Sequence, residues 1–176
     1  MKLDGSGNKI WDKTYGGSRS DFVNSIQQTA DVGYIVCGST SSNDGDITDG
    51  NNGESDVWIL KLDDEGNKEW DKTYGGSDHD HSWSIKQTSD GHYIVAGHTR
   101  SNDGDITDGN NGLYDLLILR LDDAGNKVWD KTFGGSELDI GWSINQTSDE
   151  GFLFTGSTYS NDGDISDDNN GSEDLW

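Results

Sequence analysis

Apolar and polar residues alternate in short runs along the whole chain, separated by clusters of Gly, Asn, Asp and Ser. No stretch holds apolar residues at the i, i+3, i+4, i+7 spacing over helical length, so the pattern predicts strands and no helices. Between residues 82 and 133 it predicts four of them. Residues 82–88 and 93–99 flank the turn Ser89-Asp90-Gly91 and form a hairpin. After a long polar loop, residues 115–121 are a nearly continuous apolar run, which suits a strand covered on both faces. Residues 127–133 complete the set after the turn Asp122-Asp123-Ala124-Gly125-Asn126, and Gly134-Gly135 closes it.

The four-strand pattern recurs. Leu3-Asp4-Gly5-Ser6-Gly7-Asn8-Lys9 returns 59 residues later from Leu62 and again 59 residues later from Leu121. Trp11, Trp70 and Trp129 each open the same Trp-Asp-Lys-Thr-aromatic-Gly-Gly run, with no insertion or deletion between copies. Residues 1–176 therefore form one repeat array, with repeats at 3–61, 62–120 and 121–176. A fixed period marks architectures in which each unit buries its apolar face on its neighbours. Four antiparallel strands per unit with a Gly-rich exit describe a β-propeller blade, so the expected fold class is all-β, a partial ring or one completed by oligomerisation.

The succession Lys-Leu-Asp-x-x-Gly-Asn-x-x-Trp-Asp-Lys-Thr-Tyr-Gly-Gly-Ser, followed by Ser-Ile-x-Gln-Thr-x-Asp-x-Gly-Tyr-Ile-Val-x-Gly-x-Thr, resembles the secreted β-propeller repeats of bacterial and archaeal surface proteins. The resemblance spans the chain and is specific for the blade. It implies an extracellular or cell-surface setting and a structural or adhesion role. The Trp-Asp pair is also similar to that of WD40 repeats, but the period of 59 and the lack of a Gly-His signature set the chain apart.

Trp176 falls at the repeat position of Trp58 and Met1 at that of Leu60, so both termini lie inside the same predicted strand. Residues 9–15 are expected to supply the fourth strand of the last blade. Three blades are fewer than the roughly four to eight that close a ring. The expected partners are thus further blades, from self-association or from further repeats of a longer chain.

Charge narrows the partners. Twelve Lys and Arg against 34 Asp and Glu give a net charge of −22, which repels nucleic acid. The single Cys37 excludes an intrachain disulfide framework, and no apolar run approaches membrane-spanning length. Ten per cent aromatic residues, with seven Trp, argue for a packed core despite the acidity.

Fifteen of the 34 acidic residues, and no Lys or Arg, fall in the three loops 43–56, 102–115 and 161–174. Carboxylates at short alternating spacing with intervening Gly suit Ca²⁺, which takes about six to eight oxygen ligands from a loop able to wrap it. The candidate ligands are Asp44, Asp46, Asp49 and Asp56 in the first repeat. Their counterparts are Asp103, Asp105, Asp108 and Asp115 in the second, and Asp162, Asp164, Asp167 and Asp174 in the third. The spacing departs from an EF-hand, and the alternative is a set of solvated turns whose Asn and Asp side chains cap their own backbone.

Trp83 and Trp142 share a position filled by Asn24 in the first repeat, beside a Gly-Gly loop. They are candidate sugar-stacking rings, with packing as the alternative. His79-x-His81 is a partial zinc motif without the third and fourth ligands such sites use. No nucleophile elbow, phosphate loop or dinucleotide fingerprint is present, so no enzyme is expected. The reading is a structural or adhesion module with calcium-binding loops, and its alternative is a lectin-like carbohydrate binder.

Overall fold

The computed structural model describes residues 1–167 and 169–176. Among the described residues there are thirteen strands in four antiparallel sheets and no helices, hence no helix able to cross a membrane. A short hairpin pairs β1 (Lys2–Leu3) with β2 (Lys9–Trp11). The first full sheet orders β3 (Asp21–Gln28), β4 (Tyr34–Thr40), β5 (Asp56–Leu62) and β6 (Lys68–Tyr74) as an up-and-down meander. The second repeats it with β7 (Asp80–Gln87), β8 (Tyr93–Thr99), β9 (Asp115–Leu121) and β10 (Lys127–Phe133). The third contains β11 (Asp139–Gln146), β12 (Phe152–Thr158) and the two-residue β13 (Asp174–Leu175).

The strands expected between residues 82 and 133 all form, and β9 is buried along its whole length, as its unbroken apolar run requires. Such burial follows from the sheets being stacked face to face. One core cluster joins Ile35, Cys37, Val57 and Ile59 of the first sheet to Ile85, Tyr93, Val95 and Leu119 of the second. Another joins Ile94, Ala96, Leu116 and Ile118, on the opposite face of the second sheet, to Ile144 and Phe154 of the third. Alternating side chains along β8 and β9 thus meet different neighbours.

The stack is open at both ends, and no closed ring forms among the described residues. Ile26 is 58% exposed although its equivalents Ile85 and Ile144 are fully buried, because no full sheet precedes the first. Leu153 is 65% exposed although Ile35 and Ile94 are fully buried, because none follows the third.

Residues 9–15 do not supply a fourth strand to the last sheet. β2 pairs with β1, and the segment grips the 63–67 turn of the first sheet. Trp11 Nε1 donates to Asp64 O at 3.3 Å, Lys13 Nζ to Asn67 Oδ1 at 3.1 Å, and the Tyr15 hydroxyl to Gly66 O. Tyr74 makes the same contact with Gly125 O one repeat later. A fourth-strand sequence carries the clamp for the sheet that follows it, so residues 9–15 dock on their nearest downstream turn rather than crossing the stack.

The β3–β4, β7–β8 and β11–β12 hairpins share one turn, in which an N–H at the left-handed position bonds back to Thr29 O, Thr88 O or Thr147 O. Gly91 takes this position at φ 86°, but Val32 at φ 66° and Glu150 at φ 69° occupy it in the other repeats. A β-branched residue there is strained, and the left-handed conformation costs L-residues about 1–2 kcal/mol. Val32→Asn is expected to raise stability, and Gly91→Val to lower it by about 1–2 kcal/mol, read from urea unfolding midpoints. Unchanged midpoints in both variants would show that the turn absorbs the strain.

Candidate functional site

Each acidic loop is built on its own side chains. Asn43 Oδ1 accepts from Asn51 N at 2.5 Å, Asn51 Oδ1 from Gly53 N at 2.7 Å, and Asn51 Nδ2 donates to Thr40 O at 3.0 Å. The same three bonds recur at Asn102 with Asn110, and at Asn161 with Asn169. The outer strand pins the loop from the other side. Asp71, the Asp of the Trp-Asp pair, accepts from Thr48 N at 2.9 Å, Thr48 Oγ1 at 2.5 Å and Lys68 Nζ at 2.8 Å. Asp130 does the same with Thr107 and Lys127.

The twelve candidate ligands divide by location. Asp44, Asp103 and Asp162 accept from Ser18, Ser77 and Ser136 N, each at 2.7 Å, stapling loop to Gly-Gly segment. Asp46, Asp105 and Asp164 donate their N–H to Gly16, Gly75 and Gly134 O at 2.8–3.0 Å. The Asp46 and Asp164 carboxylates also accept the Gly16 and Gly134 N–H. Asp49 lies 3.7 Å from Lys72 and Asp108 2.9 Å from Lys131, while Asp167 is exposed. Asp56 and Asp115 are wholly buried at the heads of β5 and β9, and Asp174 is half-buried at the head of β13. The loop carboxylates are therefore spread along the loop, and among the described residues no three acidic, His or Cys side chains form a metal-binding group.

What converges is a pair at each junction between sheets. Ser55 bridges His79 in parallel and Tyr114 bridges Leu138, with Asp80 N donating to Ser55 O and Asp139 N to Tyr114 O, both at 2.7 Å. These bridges bring Asp56 beside Asp80, and Asp115 beside Asp139. Asp56 Oδ2 accepts from Asn52 N at 2.8 Å, but its Oδ1 is buried without a partner, as is Asp115 Oδ1. A methyl group on Gly75 would lie 2.5 Å from Asp56 Oδ1 and 2.7 Å from Asp80 Oδ2. At Gly134 the corresponding distances are 2.7 Å to Asp115 Oδ1 and 2.8 Å to Asp139 Oδ2. Only glycine leaves this space open.

Burial pushes the Asp56 carboxyl up to about 7, with the charges of Asp80 and Asp105 adding to the effect. Asp115 is pushed up to about 6 by burial, with Asp139 and Asp164 beside it. Asp80 is also raised by burial, against hydrogen bonds from Thr99, Gly76 and Ser101. Asp21, Asp80 and Asp139 were not among the sequence candidates, although they recur at the 59-residue period; they lie outside the acid-rich loops.

Trp83 and Trp142 occupy β-bulges in β7 and β11, where the ladder register shifts and the extra residue is re-aimed. Their ring centroids are 5.0 Å apart, and Trp142 is 43% exposed. Trp83 Nε1 donates to His98 Nδ1 at 3.0 Å, and burial pushes the His98 imidazole down to about 3. His79 Nδ1 and His81 Nε2 both face Ser55 Oγ, at 2.9 and 2.8 Å.

No family model matches the chain, and no curated protein gives a significant match.

The raised carboxyls set a pH dependence. A folded-state pKa above the unfolded value means that the native protein holds an extra proton between about pH 4 and about pH 7. The stability contributed by Asp56 and Asp115 is full below that window and lost as pH rises through it. Asp31 and Asp90 are lowered by hydrogen bonds and ion pairs, so their opposite trend falls below the window. In chelator-treated buffer, the parent's urea midpoint relative to that of Asp56→Asn with Asp115→Asn is expected to fall from about pH 4 to about pH 8, the comparison cancelling the opposite rise from His98, whose lowered imidazole is common to both proteins. An unchanged slope in the double variant would assign the trend to general charge repulsion.

Proposed function

We propose that this chain is a non-catalytic structural or adhesion module of the β-propeller kind, displayed outside the cell, whose sheets act as blades and whose acidic loops take up calcium. The observation that carries this reading is where the repeated residues are used. Trp70, Tyr74, Asp71 and Asp80 each join neighbouring sheets or anchor a loop; Trp70, Asp71 and Asp80 recur in all three repeats and Tyr74 in the first two, with Phe133 in the third. A chain that spends its periodic positions on stacking is suited to building a scaffold. Calcium is supported by fifteen acidic residues in loops without a basic residue, and by carboxylates buried in pairs at the junctions. Its partners in this reading are further blades, with surface glycans or surface proteins beyond them.

A second reading, a lectin-like carbohydrate binder, rests on one observation: Trp142 is 43% exposed at the rim with Trp83 tilted against it. Aromatic faces of this kind stack on sugar rings.

Calcium at millimolar concentration is expected to raise the melting temperature beyond sodium at equal ionic strength. With affinities of about 10⁻⁴–10⁻³ M, calcium at about 1–10 mM adds about 0.4–3 kcal/mol per site, and each kcal/mol about 2–4 °C. Equal stabilisation by sodium would reduce the effect to screening. A glycan array separates the two readings: the scaffold gives no specific hits, whereas hits abolished by Trp142→Ala would establish the lectin.

A further inference from the structure

The open ends of the stack carry the two halves of a junction that occurs complete twice inside the chain. At each internal junction the head of a third strand presents Asp56 or Asp115, and the next sheet presents Asp80 or Asp139 beside Gly75 or Gly134. The fully buried, unpartnered Asp56 Oδ1 and Asp115 Oδ1 face that space. Two carboxylates sharing a dry space repel unless a proton or a cation lies between them. An open cleft of about 320 Å³, lined by Asn52, Gly76, Ser77, Asp103, Gly104 and Asp105, lies next to the first junction, since the N–H groups of Asn52 and Gly76 bond Asp56 and Asp80.

Asp174 is the third-strand half of such a junction, with Asn170 N donating to its Oδ2 at 2.6 Å as Asn52 does for Asp56. Asp21 and Gly16 are the other half: Gly17 N donates to Asp21 Oδ2 at 2.8 Å, as Gly76 N does to Asp80. Asp46 accepts from Gly16 N at 3.1 Å. The strand edges match as well. Among the described residues, β12 is bonded along that edge only at Gly156, Ser157 and Thr158, leaving the edge at Phe152 and Leu153 open, and β1 is paired on one side alone. In the first sheet the equivalent pairings are Tyr34 with Leu62 and Ile35 with Lys61. That register sets Phe152 opposite Leu3 and Leu153 opposite Lys2 of another chain.

Resting on the calcium reading above, we propose that the cation sits between the paired carboxylates of each sheet junction, and that a third such site forms between Asp174 of one copy and Asp21 with Asp46 of a second copy docked head to tail. The remaining ligands are backbone carbonyls and water, which calcium accepts alongside carboxylates. The copy is the occupant because its β1–β2 hairpin and first sheet reproduce the surface that covers the corresponding face at both internal junctions. The cation offsets the repulsion between two chains of charge −22.

Sedimentation velocity and thermal melting, with calcium chloride against sodium chloride at equal ionic strength, test this on three proteins: the parent, Asp46→Asn with Asp174→Asn, whose remaining acceptor bonds an amide oxygen can keep, and Asp56→Asn with Asp115→Asn. Asn matches Asp in shape and removes a charge, so the fold is retained and far-UV circular dichroism checks it. The parent is expected to gain both melting temperature and mass with calcium. The end variant keeps the melting response and needs about tenfold or more calcium to associate. The internal variant loses most of the melting response. Association of the end variant at the parent's calcium concentration overturns the shared site and leaves the calcium reading standing. An unchanged melting response in the internal variant moves the cation out of the junctions. A parent indifferent to calcium removes the calcium reading itself.

Discussion

The arrangement of the sheets depends on a carboxylate at the head of each first strand, wholly buried at Asp80 and Asp139 and half-buried at Asp21. Asp80 accepts from Gly76 N and Ser101 Oγ, both at 2.8 Å, and from the Thr99 hydroxyl. These bonds tie the Gly-Gly segment after β6, the head of β7, the end of β8 and the start of the acidic loop at one wholly buried group. Asp21 and Asp139 also bind the glycine N–H and the loop serine in their own sheets. Burying a carboxylate is costly unless donors surround it. Here those donors come from three segments and converge on a fourth, so satisfying one charge fixes where consecutive sheets meet.

That constraint explains the glycines next to it. Gly75 is squeezed between Asp56 and Asp80, and Gly76 lies against Asp103 and Ser101, so a Cβ at either would come within 2.7 Å of a neighbouring atom. The Gly-Gly pair is an element of sheet packing as much as a turn. Outside it, packing is carried by large rings, Trp70 edge-on to Tyr93 and Trp129 edge-on to Phe152. Polar groups thus fix the junctions near the acidic loops, and aromatic burial fills the space toward the outer strands.

The strands and the period were legible because alternation, turn residues and unbroken repetition all point the same way, and β7 to β10 fall where those signals place them. The acidic loops were legible as loops but not as chemistry. Asn, Asp and Gly are the residues of a metal loop and also of a self-capped turn, and the bonds of Asn43, Asn51 and Asp44 show capping at work. The pairing of Asp56 with Asp80 could not be read from spacing, because it joins two strands through a bridge between Ser55 and His79. The bulges at Trp83 and Trp142 were equally hidden, since the phase shift that one extra residue makes in an alternating pattern is masked where small residues flank it, as Ser82 and Ser84 do Trp83 and Gly141 and Ser143 do Trp142. The docking of residues 9–15 reverses the sequence expectation for a topological reason: a repeat specifies which surface a strand fits, and the nearest copy of that surface lies downstream.

A stack of this kind behaves as a one-dimensional array, in which stability is the sum of terms within sheets and terms between neighbours. The paired carboxylates sit only in the second class. Each sheet holds one member of a pair at the head of its first strand and another at the head of its third, so neither pair closes within a single sheet. Repulsion therefore weakens association between sheets while leaving the meander of each intact, and anything that neutralises the pair strengthens association alone. The net charge of −22 acts in the same direction by keeping separate stacks apart in its absence. An acidic repeat protein built this way separates the folding of its units from their joining, and the buried Asp56 Oδ1 and Asp115 Oδ1 are the atoms at which the two are separated.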